Sequence, residues 1–572
     1  MCLQSVIFRL LSSIEEQLKT TSDPESSTSD KDRIGWNETT VVVLNGLTKL
    51  LADYLDTLSS HSTFGKSWET LLGHYKSLLG FQVLDINTAV FNSLREILSR
   101  GNLSESEKIN FDGPALDLAW GLWSDSLPAV TPDPTDKRFD NQKYLVAYVS
   151  ALQEIYRLVQ ADLNADRVAR MLMLLREAIQ QASAATYSAD IEYLTPLQSQ
   201  VLESLKMIRT DIEGVPAALI GQVSEFIGLA FDERETSSGS QRPTYVALSK
   251  ASMSLTENLV LAHSSDHGIY TTGALTSALT ALSRPIDLKY SFPIITKSIS
   301  PWRQATTSSL AILTSVIPVI TAAHLPDTVT RSIWTAIVSI ANAITVADCS
   351  SLPPSIDIAS DQSFDITSFL TLRSLITPAL GNPSIPDKTR RIYTESLFHT
   401  SLIHAPHPSE LPSKSSDLLS ILSQPRKGRT IDPSPSPRQA MSYVAFSTLL
   451  SLVSAHHSTP AEIKLAQAAA PYLILRCGLV LRSYIADQPL RGRMPQPLSQ
   501  RKELLFVFRE LEGLIAEREA IPEAGGVESE GRRHLFRLYP LLAGAVRAAG
   551  GDEVMLKAVG GCLDVVGGEF GI

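Results

Sequence analysis

Residues 64–99, FGKSWETLLGHYKSLLGFQVLDINTAVFNSLREILS, leave few folds open to a chain that contains them. Trp68, Leu71, Leu72, Tyr75, Leu78 and Leu79 recur at steps of three and four, which makes one apolar stripe along a helix. Gly80 to Asp85 breaks the pattern, with Asp85 placed to cap a second helix. Ala89, Val90, Leu94, Ile97 and Leu98 then form a matching stripe, and Gly101 stands after it as a stop. Neither helix can bury its stripe alone. Each must pack on its partner and on neighbouring pairs, which is the unit of an α-solenoid.

The rest of the chain varies this theme. Helical periodicity predicts Met1–Lys19, Ile34–Leu58 (with Val42, Val43, Leu47, Leu50, Leu51, Tyr54 and Leu55 inward) and Pro114–Leu127. It continues in pairs through 144–231, 245–282, 303–347, 366–403, 439–485 and 504–566. The polar breaks have irregular lengths and no strand pair is legible, so the expected fold is all-α, an irregular HEAT/armadillo-like solenoid of antiparallel helix pairs. The breaks divide it into helical segments 1–232, 243–403 and 439–572, with a flexible Ser/Pro-rich basic loop at 404–438.

Composition narrows the function. The net charge of -10 over 572 residues argues against a nucleic-acid surface. Four cysteines, Cys2, Cys349, Cys477 and Cys562, lie far apart and form no CxxC or Cys/His cluster, so they read as reduced thiols rather than zinc ligands. His399, His404 and His407, and the pair His456 and His457, lack further ligands at close spacing and read as surface histidines. No GxGxxG, GKS/GKT or GxSxG motif occurs in the required context, so no cofactor, small-molecule substrate or catalytic residue is expected. Residues 305–323 are uncharged, but their apolar run is short and Pro318 interrupts it, so a buried solenoid helix is expected there rather than a membrane span.

Two stretches stand out as candidate docking residues. Trp120 and Trp123 lie three apart and can point one way, either into the core or towards a partner. Arg284 to Trp302, RPIDLKYSFPIITKSISPW, reads as an extended crossing fixed by Pro285, Pro293 and Pro301. Leu288, Tyr290 and Phe292 alternate there with Lys289 and Ser291, and Trp302 leads into the next helix. It is either a strap sealing a groove or a docking ridge with Lys289 exposed. The run Arg426, Lys427, Arg429 with two Ser-Pro steps after it reads as a solvated, phosphorylatable tether.

Five stretches carry a family resemblance in one order: WNETTVVVLNGLTKLLADYL (36–55), the hairpin at 64–98, ALDLAWGLW (115–123), RPIDLKYSFPIITKSISPWRQA (284–305) and 479–515 with RLYPLL after it. The chain resembles, nearly end to end, the C-terminal region of the monensin-sensitivity ("Mon-two") family of Golgi and endosomal peripheral membrane proteins. These are relatives of the large Arf guanine-nucleotide exchange factors that lack the exchange domain. The resemblance implies a non-enzymatic scaffold on the cytoplasmic face of Golgi and endosome membranes. It also implies work with a dopey-family protein, an aminophospholipid flippase and Arf-like GTPases. The competing reading is a soluble cargo-binding array of the transport-receptor type.

Overall fold

The computed structural model describes residues 6–22, 30–100, 111, 113–127, 140–183, 190–232, 244–349, 356–406, 410–411, 418–455, 459–522, 529 and 531–571. Among them are twenty-one α-helices and no strand. One isolated antiparallel bridge joins Ser454 to Ala516. The chain forms two compact units, Met1–Leu259 with Thr296–Ser298, and Val260–Ile295 with Ile299–Ile572. The division falls inside a helix, whereas composition placed a break at the polar stretch 233–242, which lies outside the described residues.

The first unit contains α1 (Phe8–Ser22), α2 (Asp30–Ser59), α3 (Phe64–Leu79), α4 (Leu84–Ser99), α5 (Gly113–Asp125), α6 (Gln142–Val159), α7 (Ala165–Gln180), α8 (Pro196–Met207), α9 (Val215–Gly228) and most of α10 (Val246–Ala262). Helices α2, α4, α6 and α8 pack in succession as one layer, and α1, α3, α5, α7 and α9 as the other. Pairs α1/α2, α3/α4, α5/α6 and α7/α8 join the layers as rungs, so this unit is an α-solenoid. The second unit repeats the plan with α11 (His267–Thr271), α12 (Ala274–Asp287), α13 (Pro301–Ala322), α14 (Asp327–Thr345), α15 (Ile358–Leu380), α16 (Asp387–Ser401), α17 (Gln439–Val453), α18 (Pro460–Ala486), α19 (Leu498–Gly513), α20 (Arg533–Ala549) and α21 (Glu553–Glu569). There α12, α14, α16, α18 and α20 form one layer, while α13, α15 and α17, and then α19 and α21, form the other.

The hairpin α3/α4 shows how the sequence produces a rung. All six expected α3 residues are buried, as are Ala89, Val90, Leu94, Ile97 and Leu98 on α4. The connecting turn places Gln82 at φ 54, and Val83 is the N-cap; Asp85 lies in the first turn instead of capping. Gly101 lies outside the described residues. Two helix starts are capped strongly: Thr195 with Gln198 and Thr459 with Glu462 each form a reciprocal capping box ahead of a proline at the first helical position.

Two expectations fail for physical reasons. On α2 the apolar residues cover more of the circumference than one stripe can bury. Thr40, Leu44, Leu47, Leu51, Ala52 and Leu55 face inward, and Val42, Leu50 and Tyr54 are exposed. Helix α13 runs through Pro318 as the helix expected over 303–323 does, whereas Pro285, expected in an extended crossing, lies inside α12. An interior proline costs about 3 kcal/mol, but Leu275, Ala278, Leu279, Leu282, Pro285 and Ile286 continue one buried stripe across it. That burial, at about 1.5–3 kcal/mol for each large side chain, outweighs the lost hydrogen bond. Among the described residues two helices, Pro301–Ala322 and Pro460–Leu490, are long and apolar enough to cross a membrane. Both pack within the second unit, with 50% and 67% of their apolar stretches buried.

Candidate docking site

The segment from Leu288 to Trp302 begins as the end of α12 rather than as an extended crossing. The Leu288 N–H donates to Arg284 O at 3.0 Å and the Lys289 N–H to Ile286 O at 3.4 Å, so the chain stays helical past Pro285. This last turn drives Lys289 inward. The side chain expected on an exposed ridge is 0% exposed, as is its partner Asp365, 2.7 Å from its ammonium. The same ammonium donates to Ile344 O at 3.2 Å and Ala343 O at 3.4 Å, the unpaired carbonyls at the C-terminus of α14. Arg438 arrives from the residue before α17, pairs with Asp365 and donates to Thr345 O at 2.8 Å. One carboxylate on α15 therefore holds two cations that cap the end of α14.

An aromatic wall closes the node. Trp302 lies 5.3 Å from the Lys289 ammonium and meets Phe364 edge-on at 5.5 Å. The Arg303 guanidinium sits 5.3 Å from the Trp302 ring and pairs with Asp361 at 2.6 Å. The Tyr290 hydroxyl lies 3.4 Å from the second Asp361 oxygen. Burial pulls the Lys289 ammonium down to about 8, with Asp365 opposing that shift. Burial likewise raises the Asp365 carboxyl, against the pull of Lys289 and Arg438. A water-excluded ion cluster of this kind locks elements together and has no surface to offer a partner.

Of the six residues singled out from sequence, Lys289, Tyr290 and Trp302 come together here and Leu288 sits beside them half-buried. Trp120 and Trp123 lie in the first unit. Trp123 is 0% exposed, stacks on Tyr148 at 4.9 Å and donates from its indole to Tyr148 O at 3.1 Å. Trp120 is half-buried, with Arg167 at 5.7 Å from its ring. The exposed apolar side chains on the segment are instead Phe292 (52%), Ile295 (73%) and Ile299 (50%). Sequence reasoning missed Arg303, Asp361, Asp365 and Arg438; the available signal was a lone aspartate inside the apolar run SFDITSFL.

A second buried ion cluster corrects two further expectations. His404 is no surface histidine: its side chain is 7% exposed, with Nδ1 2.6 Å from Glu503 and Nε2 2.9 Å from Ser499. Arg476 pairs with the other Glu503 oxygen and donates to Ser401 O at 3.0 Å. Burial would raise the Glu503 carboxyl, but Arg476 and His404 hold it below the usual range. The basic run nearby is not a solvated tether, since Arg426 pairs with Glu410, and Arg429 with Asp487 at 2.9 Å and Asp432 at 2.8 Å. These arginines and His404 line a cleft of about 240 Å³. Among the described residues no group of three or more His, Cys, Asp or Glu is placed to hold a metal ion. Cys2, His407, His456 and His457 lie outside the described residues.

No family model matches the chain. Among curated proteins it is similar to "Protein MON2 homolog" of Xenopus laevis, 21% identical over 652 residues that cover 96% of this chain and 36% of that protein. The Homo sapiens protein of the same description matches at 21% over 650 residues, with the same shares of each chain. The chain thus spans just over a third of the length of these relatives, and the likeness is to the family that the sequence motifs resemble. Among solved structures, a circular tandem repeat protein with novel repeat topology aligns at 10% identity over 99% of this chain and 96% of that one, with a TM-score of 0.28. Importin beta aligns at 11% over 97% and 76%, with a TM-score of 0.17. Superpositions that loose carry no argument.

Proposed function

We propose that this chain is the C-terminal helical-repeat region of a non-enzymatic scaffold in protein transport between Golgi and endosomes. The similarity to MON2 homologues along 96% of the chain carries this reading. The motif resemblance extends it to a peripheral association with the cytoplasmic face of those membranes. It also supplies the partners proposed here: a dopey-family protein, an aminophospholipid flippase and Arf-like GTPases. The physical contribution of the chain is surface. The helix pairs stacked within each unit present grooves and exposed apolar side chains to partner segments.

Phe292, Ile295 and Ile299 are the residues we assign to docking, since large apolar side chains held exposed on a fixed segment gain most from being covered. The test is affinity capture of the tagged chain from cells, with alkaline carbonate extraction of the membrane fraction. Capture of a dopey-family protein, lost when all three residues are changed to serine, is the expected result, with the tagged chain released by carbonate. Retention in the carbonate pellet, or unchanged capture by the triple variant, overturns the corresponding part of the reading.

A further inference from the structure

We propose that Ser434 is a phosphorylation site for a proline-directed protein kinase, and that the fold withholds the neighbouring Ser436 from the same enzyme. Six Ser-Pro or Thr-Pro steps fall among the described residues. Thr195, Ser300 and Thr459 are helix N-caps, and Thr377 lies within α15. The hydroxyls of Thr195 and Thr459 already accept the N–H groups of Gln198 and Glu462. A kinase needs its acceptor serine in an extended, reachable stretch. Only the two steps in DPSPSPR lie outside regular structure.

These two identical dipeptides stand in different environments. The chain from Thr430 to Pro435 is an arch pinned at both ends. At one end Arg429 donates through its backbone to Asp487 at 2.8 Å, and through its side chain to Asp432, Asp487, Met494 O and Pro495 O. At the other end the Ser436 N–H donates to Ile403 O at 2.7 Å, its hydroxyl accepts the Arg438 N–H at 3.2 Å, and Arg438 is held in the buried node. Ser436 is half-buried and part of an anchor. Ser434 and Pro435 are both exposed, and Ile431, two residues before Pro433, is 79% exposed. Modifying Ser434 breaks no anchor, whereas modifying Ser436 requires the arch to be released first.

In the reaction, the γ-phosphoryl of ATP moves to Ser434 Oγ. The bond from the γ-phosphorus to the oxygen bridging it to the β-phosphate breaks as the Oγ–P bond forms. The hydroxyl proton passes to the kinase's carboxylate base, and ADP leaves. The product carries a charge of about -1.5 to -2 at neutral pH on an arch that also bears Asp432 and lies between Lys427 and Arg438.

The test incubates the intact chain with Mg-ATP and a panel of purified cyclin-dependent and mitogen-activated kinases, and reads site occupancy over time by mass spectrometry. A synthetic peptide of residues 426–440 is run beside it. The expected result is initial phosphorylation of Ser434 at least tenfold faster than of Ser436 in the intact chain, with that preference collapsing to under threefold in the peptide. Ser434→Ala should remove most incorporation in this region and Ser436→Ala should leave it. Comparable rates at both serines in the intact chain, a preference for Ser436, or no incorporation at Ser434 by any kinase of the panel overturns the proposal.

Discussion

The Lys289 ammonium lies 2.7 Å from the Asp365 carboxylate, 76 residues along the chain, and neither side chain is reached by solvent. Removing one member of a buried pair costs about 3–5 kcal/mol, because it strands the other's charge in a medium that cannot solvate it. Lys289→Glu goes further and sets a second carboxylate against Asp365. It should lower stability by at least that amount, read as a clear fall in melting temperature. Lys289→Met should cost less, since Arg438 still pairs with Asp365. A Lys289→Glu protein that melts with the wild type would mean that the ammonium is solvated after all.

Tyr290 and Phe292, two residues apart, should behave oppositely. Tyr290 is 4% exposed against the node and Phe292 is 52% exposed. Tyr290→Ala should cost roughly 3 kcal/mol or more of packing. Phe292→Ala should stay within about 0.5 kcal/mol, as surface changes do. Urea unfolding of both variants separates them, and equal midpoints would contradict the burial pattern.

These two cases mark how far sequence carried. The helix pairs were legible because a stripe at three- and four-residue steps is a local property: every α3 and α4 residue placed in the stripes is buried, although Ile86 and Phe91, buried as well, were not among them. The path of 284–292 was not. Three prolines in nineteen residues suggest an extended crossing, and only the buried stripe of α12 explains why Pro285 is helical. Nothing near Lys289 announces Asp365 or Arg438, since both partners arrive from other helix pairs. The face of α2 was misread at Val42, Leu50 and Tyr54 for a related reason: its apolar residues encircle the helix, so neighbours rather than periodicity decide which side is covered.

His534, at the start of α20, gives a pH signature. Burial drives its imidazole down to about 4, opposed by the contact of Nε2 with Leu511 O at 3.0 Å, while Arg532 adds to the depression. An exposed imidazole titrates near 6.5, so between about 6.5 and about 4 the unfolded chain binds a proton that the folded chain refuses. Stability from this group is therefore fully present above about 6.5 and is lost as the pH falls towards about 4, by about 3 kcal/mol in all. His534→Gln keeps a neutral donor for Leu511 O and removes the titration. Its urea midpoint should fall less than the wild type's between pH 7 and pH 4.5; parallel curves would show that His534 does not titrate in this window.

Trp120 and Trp123 divide the roles that sequence left open between them. Trp123 is wholly enclosed, and its ring stacks on Tyr148 while its indole N–H is satisfied by Tyr148 O. Truncating a buried tryptophan costs about 3–5 kcal/mol, so Trp123→Ala should destabilise the first unit markedly. Trp120 is half-buried, and the Arg167 that approaches its ring also pairs with Asp117 at 2.6 Å, so that guanidinium keeps a partner without it. A cation–π contact at a partly exposed site is worth about 0.5–1 kcal/mol, and Trp120→Ala should cost little more than that plus its buried edge. Trp120 is thus the one of the pair that can serve a partner without unfolding its own helix. The decisive measurement is melting of each variant alongside partner capture. Loss of capture by Trp120→Ala at near-native melting assigns it a docking role. Capture that falls only in step with melting confines both tryptophans to packing.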